Sequence, residues 1–380
     1  GLIMKSRKYD IIVFGASGFT GKLVCKYFFK SNDAKNITWA IAGRDENKLK
    51  EVSKKYNVDY FQADSFDLNS LNHICSLSKL IISTVGPYMI YGENLLYACI
   101  ENSTHYLDLT GEPQFVTNMY KKYRYKAIKN KSIVIHCCGF ESIPADIGVN
   151  ETLKHFNEDN IDITFYLKTK GSISGGTWAS FLNSISKPES LAMKRIKSKT
   201  KKQISKQKIF FSKRFNRWVL TFPVIDKYIV YKSINSLNKF KNVHFAQYVI
   251  QKSFFRMLIL IKSIFFISIL SKINVVKNYL LSLLPSGKGP TLEKRKNSWF
   301  HITIIGKSKN KTTTTVIKGG DPGYGETSKF ISEIALSIIL NFDELLSNKG
   351  ILTPMECTGD ILTQRLKKSG ILVETRIEDA

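Results

Sequence analysis

Through the first 150 residues, short apolar runs alternate with longer polar stretches. YDIIVF (9–14), ITWAIA (37–42), YFQAD (60–64), LIIST (80–84), HYLDLT (105–110) and SIVIHCC (132–138) are rich in β-branched and aromatic residues and too short for helices, so each reads as a buried strand. Segments 20–30, 45–56, 68–77, 93–102 and 113–130 carry the helical period between them. Six strands with intervening helices predict an α/β domain over residues 1–150, a Rossmann-like doubly wound parallel sheet.

The pattern changes after residue 150. ITFYLKT (163–169) and the hairpin-like stretch 299–320 alternate in the way of antiparallel strands, which predicts an α+β domain with a mainly antiparallel sheet over 151–345. Residues 346–380 read as a helical tail that packs back on the first domain. Two tracts interrupt the second domain: a basic one at 194–217 and an apolar one at 254–284.

Composition narrows the class. A chain of 380 residues exceeds what one core usually supports. Its six cysteines contain no CxxC pair and its six histidines lack metal-ligand spacing, so a reducing, intracellular setting without a structural metal is expected. No apolar leader precedes the first strand, and secretion is not expected. The net charge of +26, from 57 basic and 31 acidic residues, is spread along the chain without a nucleic-acid motif; a nucleic-acid partner is not expected.

The candidate chemistry lies at the ends of the strands. GASGFTG (15–21) follows the first strand and opens a helix. Gly15 permits the tight turn, Gly18 leaves room for a diphosphate, and Gly21 lets helix and sheet approach closely; Ser17 and Thr20 line the same loop. The second strand ends in AGR, and Arg44 there favours the 2′-phosphate of NADP over the free hydroxyl of NAD, while Asp45 and Glu46 fit a helix cap. NAD is the alternative. Asp64, at the end of the third strand, either meets the adenine or serves its own loop. Thr84 and Gly86, in STVGPYMIYGE, flank the expected nicotinamide ribose, and Tyr88 and Tyr91 are candidate proton donors, with buried packing as the other reading. Tyr125 and Lys129 form a YxxxK pair, set in a lysine-rich helix where such a match arises by chance.

GASGFTG, WAIAGR, STVGPYMIYGENLLYACIENSTHYLDLTGEPQF and GFESIPADIG, in this order, resemble the saccharopine dehydrogenase-like oxidoreductases, a group that includes the trans-acting enoyl reductases. GGTW (175–178), GKGPT (287–291), DPGYGET (321–327) and GILTP (350–354) extend the resemblance over nearly the whole chain. It implies a nicotinamide cofactor and, from the bacterial members, reduction of a lipid-chain double bond. From the eukaryotic members it implies association with a membrane or lipid droplet. It brings no catalytic residue with it. In GFESIPADIG, Glu141 and Asp146 either bind substrate or cap the following helix, and Ser142 before the proline favours the cap.

The tract 194–217 holds eleven lysines and arginines and no acid, which suits solvent or an anionic lipid surface. In the apolar tract, ten of the fourteen residues from Met257 to Leu270 are Leu, Ile or Phe. That core is shorter than the roughly 20 residues a spanning helix needs. Peripheral attachment to a membrane or lipid droplet is expected, with a buried helix or a homodimer contact as the alternative. The combined expectation is an NADPH-dependent reductase of a hydrophobic or lipid-like small molecule, peripherally bound to a membrane or lipid droplet; a membrane-associated dinucleotide-binding scaffold without turnover is the rival.

Overall fold

A computed structural model describes residues 6–171, 182, 209–221, 226–283 and 289–379, which build two seven-stranded sheets. The first contains β1 (Tyr9–Phe14), β2 (Trp39–Gly43), β3 (Tyr60–Gln62), β4 (Ser78–Ser83), β5 (His105–Asp108), β6 (Ile133–Ile135) and β13 (Gly350–Leu352). Their spatial order is β13-β6-β5-β4-β1-β2-β3, and every pairing is parallel. Ile11, Ile12 and Val13 are all fully buried, the mark of a strand covered on both faces by helices. Ile12 lies opposite Ala40 on one side and Ile81 on the other. The chain runs outward through β2 and β3, then returns to β4 beside β1. The strand order therefore reverses at β1 and β4, and the crevice opens at their carboxyl ends.

The second sheet contains β7 (Asn160–Lys170), β8 (Ile209–Ser212), β9 (Arg217–Thr221), β10 (Asn242–Gln251), β11 (Trp299–Lys307), β12 (Lys311–Gly319) and β14 (Leu372–Asp379). Its order is β14-β12-β11-β7-β10-β9-β8, antiparallel except between β7 and β10.

The stretch expected to be a helical tail does contain helices, Pro354–Thr358 and Asp360–Lys368, but it also supplies a strand to each sheet. β13 is only three residues long, and β14 (LVETRIED) draws its stability from pairing with β12 across a wide sequence gap, so neither has a strong local signal. Helix Gly325–Leu340 packs along helix α1 (Phe19–Lys30) of the first domain. Tyr27 donates to Glu333 at 2.6 Å there, and Arg365 donates to the same carboxylate at 2.8 Å.

The helix Ile143–Leu153 packs against β11 and β12 of the second sheet. Every residue from Ile143 to Val149 is buried, so it has no solvent face in that stretch. Gly148 faces β11 and β12 so closely that a Cβ would stand 2.3 Å from Ile304 Cδ1 and 2.7 Å from Ile317 Cδ1. Core residues of both sheets, from Ile11 through Ile147 to Ile304, form one continuous cluster.

Of the basic tract, residues 194–208 lie outside the described residues; 209–217 form β8 and the turn to β9. The GGTW stretch also lies outside them. The apolar tract forms two helices, Phe254–Leu270 and Asn274–Leu283. Met257 is buried, whereas Phe255 is 76% exposed and Val275 79% exposed. No helix among the described residues is long and apolar enough to cross a membrane.

Candidate dinucleotide site and active-site crevice

At the end of β1 the chain turns through Gly15, whose φ of +87° favours glycine. A Cβ on Gly15 would stand 2.6 Å from Val85 Cγ2 and 2.7 Å from Thr84 Oγ1, so the loop after β4 leans directly on this turn. Gly21 packs closer still, its absent Cβ falling 2.1 Å from the Gly15 carbonyl oxygen. Gly18 is different: a Cβ there would meet only that same oxygen, at 3.2 Å, and otherwise face open space. Two glycines serve close packing and the third leaves a cradle that any side chain would fill.

Gly18 is the N-cap of α1 and contributes no side-chain bond, so the first N–H groups of the helix are unpaired and its positive end faces the cradle. The hydroxyls of Ser17 and Thr20 make no hydrogen bond to protein among the described residues. This arrangement fits a diphosphate in charge, in donors and in room.

Arg44 emerges exposed at the end of β2; its carbonyl accepts from Gln62 Nε2 at 3.0 Å, and its guanidinium forms no ion pair among the described residues. The two acids after it are engaged. Asp45 caps the next helix, accepting the Lys48 N–H at 3.1 Å, and Glu46 pairs with Lys50 at 2.9 Å. The strand end is left cationic, the arrangement a 2′-phosphate requires. Asp64 turns back on its own loop, accepting the Phe66 N–H at 2.9 Å. Thr84 donates its hydroxyl to the carbonyls of Phe14 and Gly15, at 3.1 and 3.2 Å, and so binds the β4 loop to the glycine turn; Gly86 follows it, half-buried.

The two tyrosines part company. Tyr88 does not reach the crevice: it is 5% exposed, its hydroxyl donates to the Ser83 carbonyl at 3.0 Å, and it accepts the Leu109 N–H at 3.2 Å. Burial pushes its phenol well above the ordinary range. Its expected role as proton donor gives way to that of a buried brace, because both hydrogen-bonding capacities are used on backbone. Tyr91 is half-buried, its ring 5.5 Å from that of Phe66, and its hydroxyl makes no hydrogen bond among the described residues. Tyr125 is 71% exposed on the helix Pro113–Lys129, its hydroxyl accepting from the neighbouring Arg124 at 3.0 Å.

The cap expected in GFESIPADIG is also replaced. Ser142 donates to the Cys137 carbonyl, Glu141 accepts the Gly139 N–H at 2.9 Å, and Asp146 accepts the Met355 N–H at 3.1 Å. These bonds fasten the loop and tie the helix to the C-terminal segment. Burial raises the Asp146 carboxyl to about 7.

Three residues of the crevice floor escaped sequence reading. Asp108, at the end of β5, accepts the N–H groups of Thr110 and Cys137 at 3.1 Å through Oδ1 and meets His136 Nδ1 at 2.6 Å through Oδ2. Glu112 accepts the Tyr88 and Met89 N–H groups at 2.8 and 3.2 Å. A buried acid at each end of the β5 loop, in DLTGE, was the available signal.

Comparison with known proteins agrees with this geometry. Residues 11–135 match the family model described as the saccharopine dehydrogenase NADP binding domain. A saccharopine dehydrogenase-like oxidoreductase of Mus musculus is 28% identical, covering 97% of each chain. A putative trans-acting enoyl reductase of Mycobacterium tuberculosis is 27% identical over 97% of this chain and 98% of its own. A lipid droplet localized protein of Caenorhabditis elegans is 27% identical over 93% and 94%. Among solved structures, apo saccharopine dehydrogenase (L-Glu forming) from Saccharomyces cerevisiae superposes with a TM-score of 0.58 at 14% identity, covering 97% of this chain and 100% of that one, which shows a common fold. Residues 11–135 therefore carry an NADP-binding domain of the saccharopine dehydrogenase type, and nearly the whole chain is similar to saccharopine dehydrogenase-like oxidoreductases.

Proposed function

We propose that this oxidoreductase is an NADPH-dependent reductase that works at a lipid surface on a hydrophobic, lipid-like substrate. The observation that carries the reading is the union, in one chain, of the NADP-binding domain with an exposed apolar pair of helices. Phe255, Ile259, Phe265, Phe266 and Tyr279 all face solvent, and no acidic residue occurs between Asp226 and Glu293. The apolar surface continues through Trp218, whose ring lies 4.9 Å from Phe254 and 5.7 Å from the exposed Phe211 of β8. Apolar side chains with Arg256, Lys262, Lys272 and Lys277 among them suit a shallow position at an anionic lipid interface, where each cation adds roughly 1 kcal/mol. The lipid droplet localized relative supports the same reading.

When bound, NADPH supplies a hydride. The residues of this chain hold and orient it: the glycine turn and α1 the diphosphate, Arg44 the 2′-phosphate, Thr84 and Gly86 the nicotinamide side. Reduction of an activated C=C or C=N bond would need, besides that hydride, a proton at the adjacent atom, which Tyr91 or water would supply. A scaffold without turnover is the second reading, favoured by the engagement of Tyr88 on backbone.

The test is co-sedimentation with phosphatidylserine-containing vesicles, together with NADPH fluorescence in the presence of vesicle-borne unsaturated acyl and keto lipids. The intact protein is expected to sediment and consume NADPH, and a variant with serine at positions 255, 259, 265 and 266 to stay in solution while binding NADPH normally. Failure to sediment overturns surface attachment. A stable dimer that needs those four side chains assigns them to a subunit contact. Tight NADPH binding without consumption across the lipid series establishes the scaffold.

A further inference from the structure

We infer that Arg295, delivered by the second domain, binds the diphosphate of the cofactor and completes the site that the glycine turn begins. The inference rests on the NADP assignment of the first domain and adds a residue to it from far along the chain.

Phe19 is the first residue of α1, immediately after the open cradle at Gly18. Its ring is enclosed by residues that follow the apolar helices. Tyr324 meets it edge-on, with centroids 5.0 Å apart, and an added Cβ on Gly289 would lie 2.5 Å from the ring. Arg295 completes the enclosure, its guanidinium carbon 5.5 Å from the ring centroid. The start of α1 is thus in direct contact with the second domain.

Arg295 belongs to the short helix Leu292–Lys296, capped by Thr291, with Lys294 and Lys296 on either side. It is half-buried, and its Nε is buried without a hydrogen-bond partner among the described residues. It also forms no ion pair there. The acid whose charge it influences, Asp321, is 7% exposed, accepts the Gly325 N–H at 3.0 Å through Oδ2, and leaves Oδ1 buried without a partner. Burial raises the Asp321 carboxyl above its usual range, more than Arg295 lowers it, so this acid is a poor counter-ion.

A half-buried guanidinium without a carboxylate is costly unless an anion joins it. The Phe19 ring it lies against belongs to the first residue of α1, the helix whose unpaired N–H groups, positive end and cradle at Gly18 suit a diphosphate. The planar fork of arginine matches phosphate oxygens as a lysine ammonium does not. Arg44, at the end of β2, is separately placed for the 2′-phosphate. Each arginine then serves its own phosphate group.

Calorimetric titration of the full chain with NADPH, ADP and 2′-AMP tests this division. Arg295→Ala is expected to weaken NADPH and ADP about 10-fold and to leave 2′-AMP unchanged; about 10-fold corresponds to the loss of one charged hydrogen-bonding partner. Arg44→Ala is expected to show the converse, weakening NADPH and 2′-AMP but not ADP. Arg295→Lys should recover part of the ADP affinity. Unchanged ADP affinity in Arg295→Ala overturns the inference, as does an equal loss for ADP and 2′-AMP, the result of damaged packing around Phe19. If the unmutated protein binds none of the three ligands, the NADP assignment and this inference fall together, a result distinct from equal binding by wild type and variant.

Discussion

Asp108 and His136 meet at 2.6 Å between Oδ2 and Nδ1, both side chains buried, where β5 and β6 reach the crevice. The other oxygen of Asp108 holds the N–H groups of Thr110 and Cys137. One carboxylate therefore fixes two adjacent strand ends. Asp108→Ala leaves all these groups buried without their partner, and a loss of about 3–5 kcal/mol is expected. Urea unfolding measures it; a loss under about 1 kcal/mol contradicts the bracing role.

Tyr88 gives a sharper contrast between structure and chemistry. Tyr88→Phe removes the acceptor for the Leu109 N–H and the donor to the Ser83 carbonyl, and should cost about 1–3 kcal/mol of stability. NADPH affinity should not change. Unaltered stability with lost NADPH consumption restores Tyr88 to the chemistry.

At the end of β2, Arg44 has no acid competing for it, since Asp45 and Glu46 are held by Lys48 and Lys50. Wild type is expected to bind NADPH at least about 10-fold more tightly than NADH, a difference of about 1.4 kcal/mol. Arg44→Ala should close most of the gap. Equal affinities before mutation remove the role given to Arg44.

Asp146 makes stability depend on pH with a defined sign. Its folded pKa, about 7, is raised above the usual carboxylate value, so the folded state holds a proton that the unfolded chain has released. The contribution is fully present below the unfolded pKa, near 4, and is lost as pH rises through about 7. Lys232 and Glu356 face it from the neighbouring elements, with opposite effects. Asp146→Asn retains an acceptor for the Met355 N–H without this titration. Thermal melts at pH 5 and pH 8 should therefore show the variant gaining relative to wild type at the higher pH; a constant difference excludes Asp146 as the cause.

The first sheet was legible in sequence because its signals are local. Apolar runs give β1, β2, β4, β5 and β6, and the glycine spacing marks one turn between adjacent elements. β13 and β14 were hidden for the opposite reason, their strand character coming from partners more than fifty residues away or from a sheet edge. The site divides in the same way. Gly15, Gly18, Gly21 and Arg44 follow one or two strands and can be placed from spacing. Asp108 with His136, and Phe19 with Arg295, become pairs only when the chain has folded. Tyr88 and Tyr91 are three residues apart in one helical turn, and only packing decides that the first turns inward.

The helix Ile143–Leu153, set on the second sheet in a core cluster that the first sheet shares, also governs how the chain comes apart. Gly148→Ala would press a methyl group against Ile304 and Ile317 and should destabilise the fold by about 1–3 kcal/mol. Because the same helix belongs to the core of either sheet, that loss is felt by both, and a calorimeter should record one melting event for the whole chain rather than one for each sheet. NADPH bound at the first sheet must then raise the melting temperature of the second as well, through the shared transition. Cofactor supply would set the lifetime of the entire molecule, including the apolar helices.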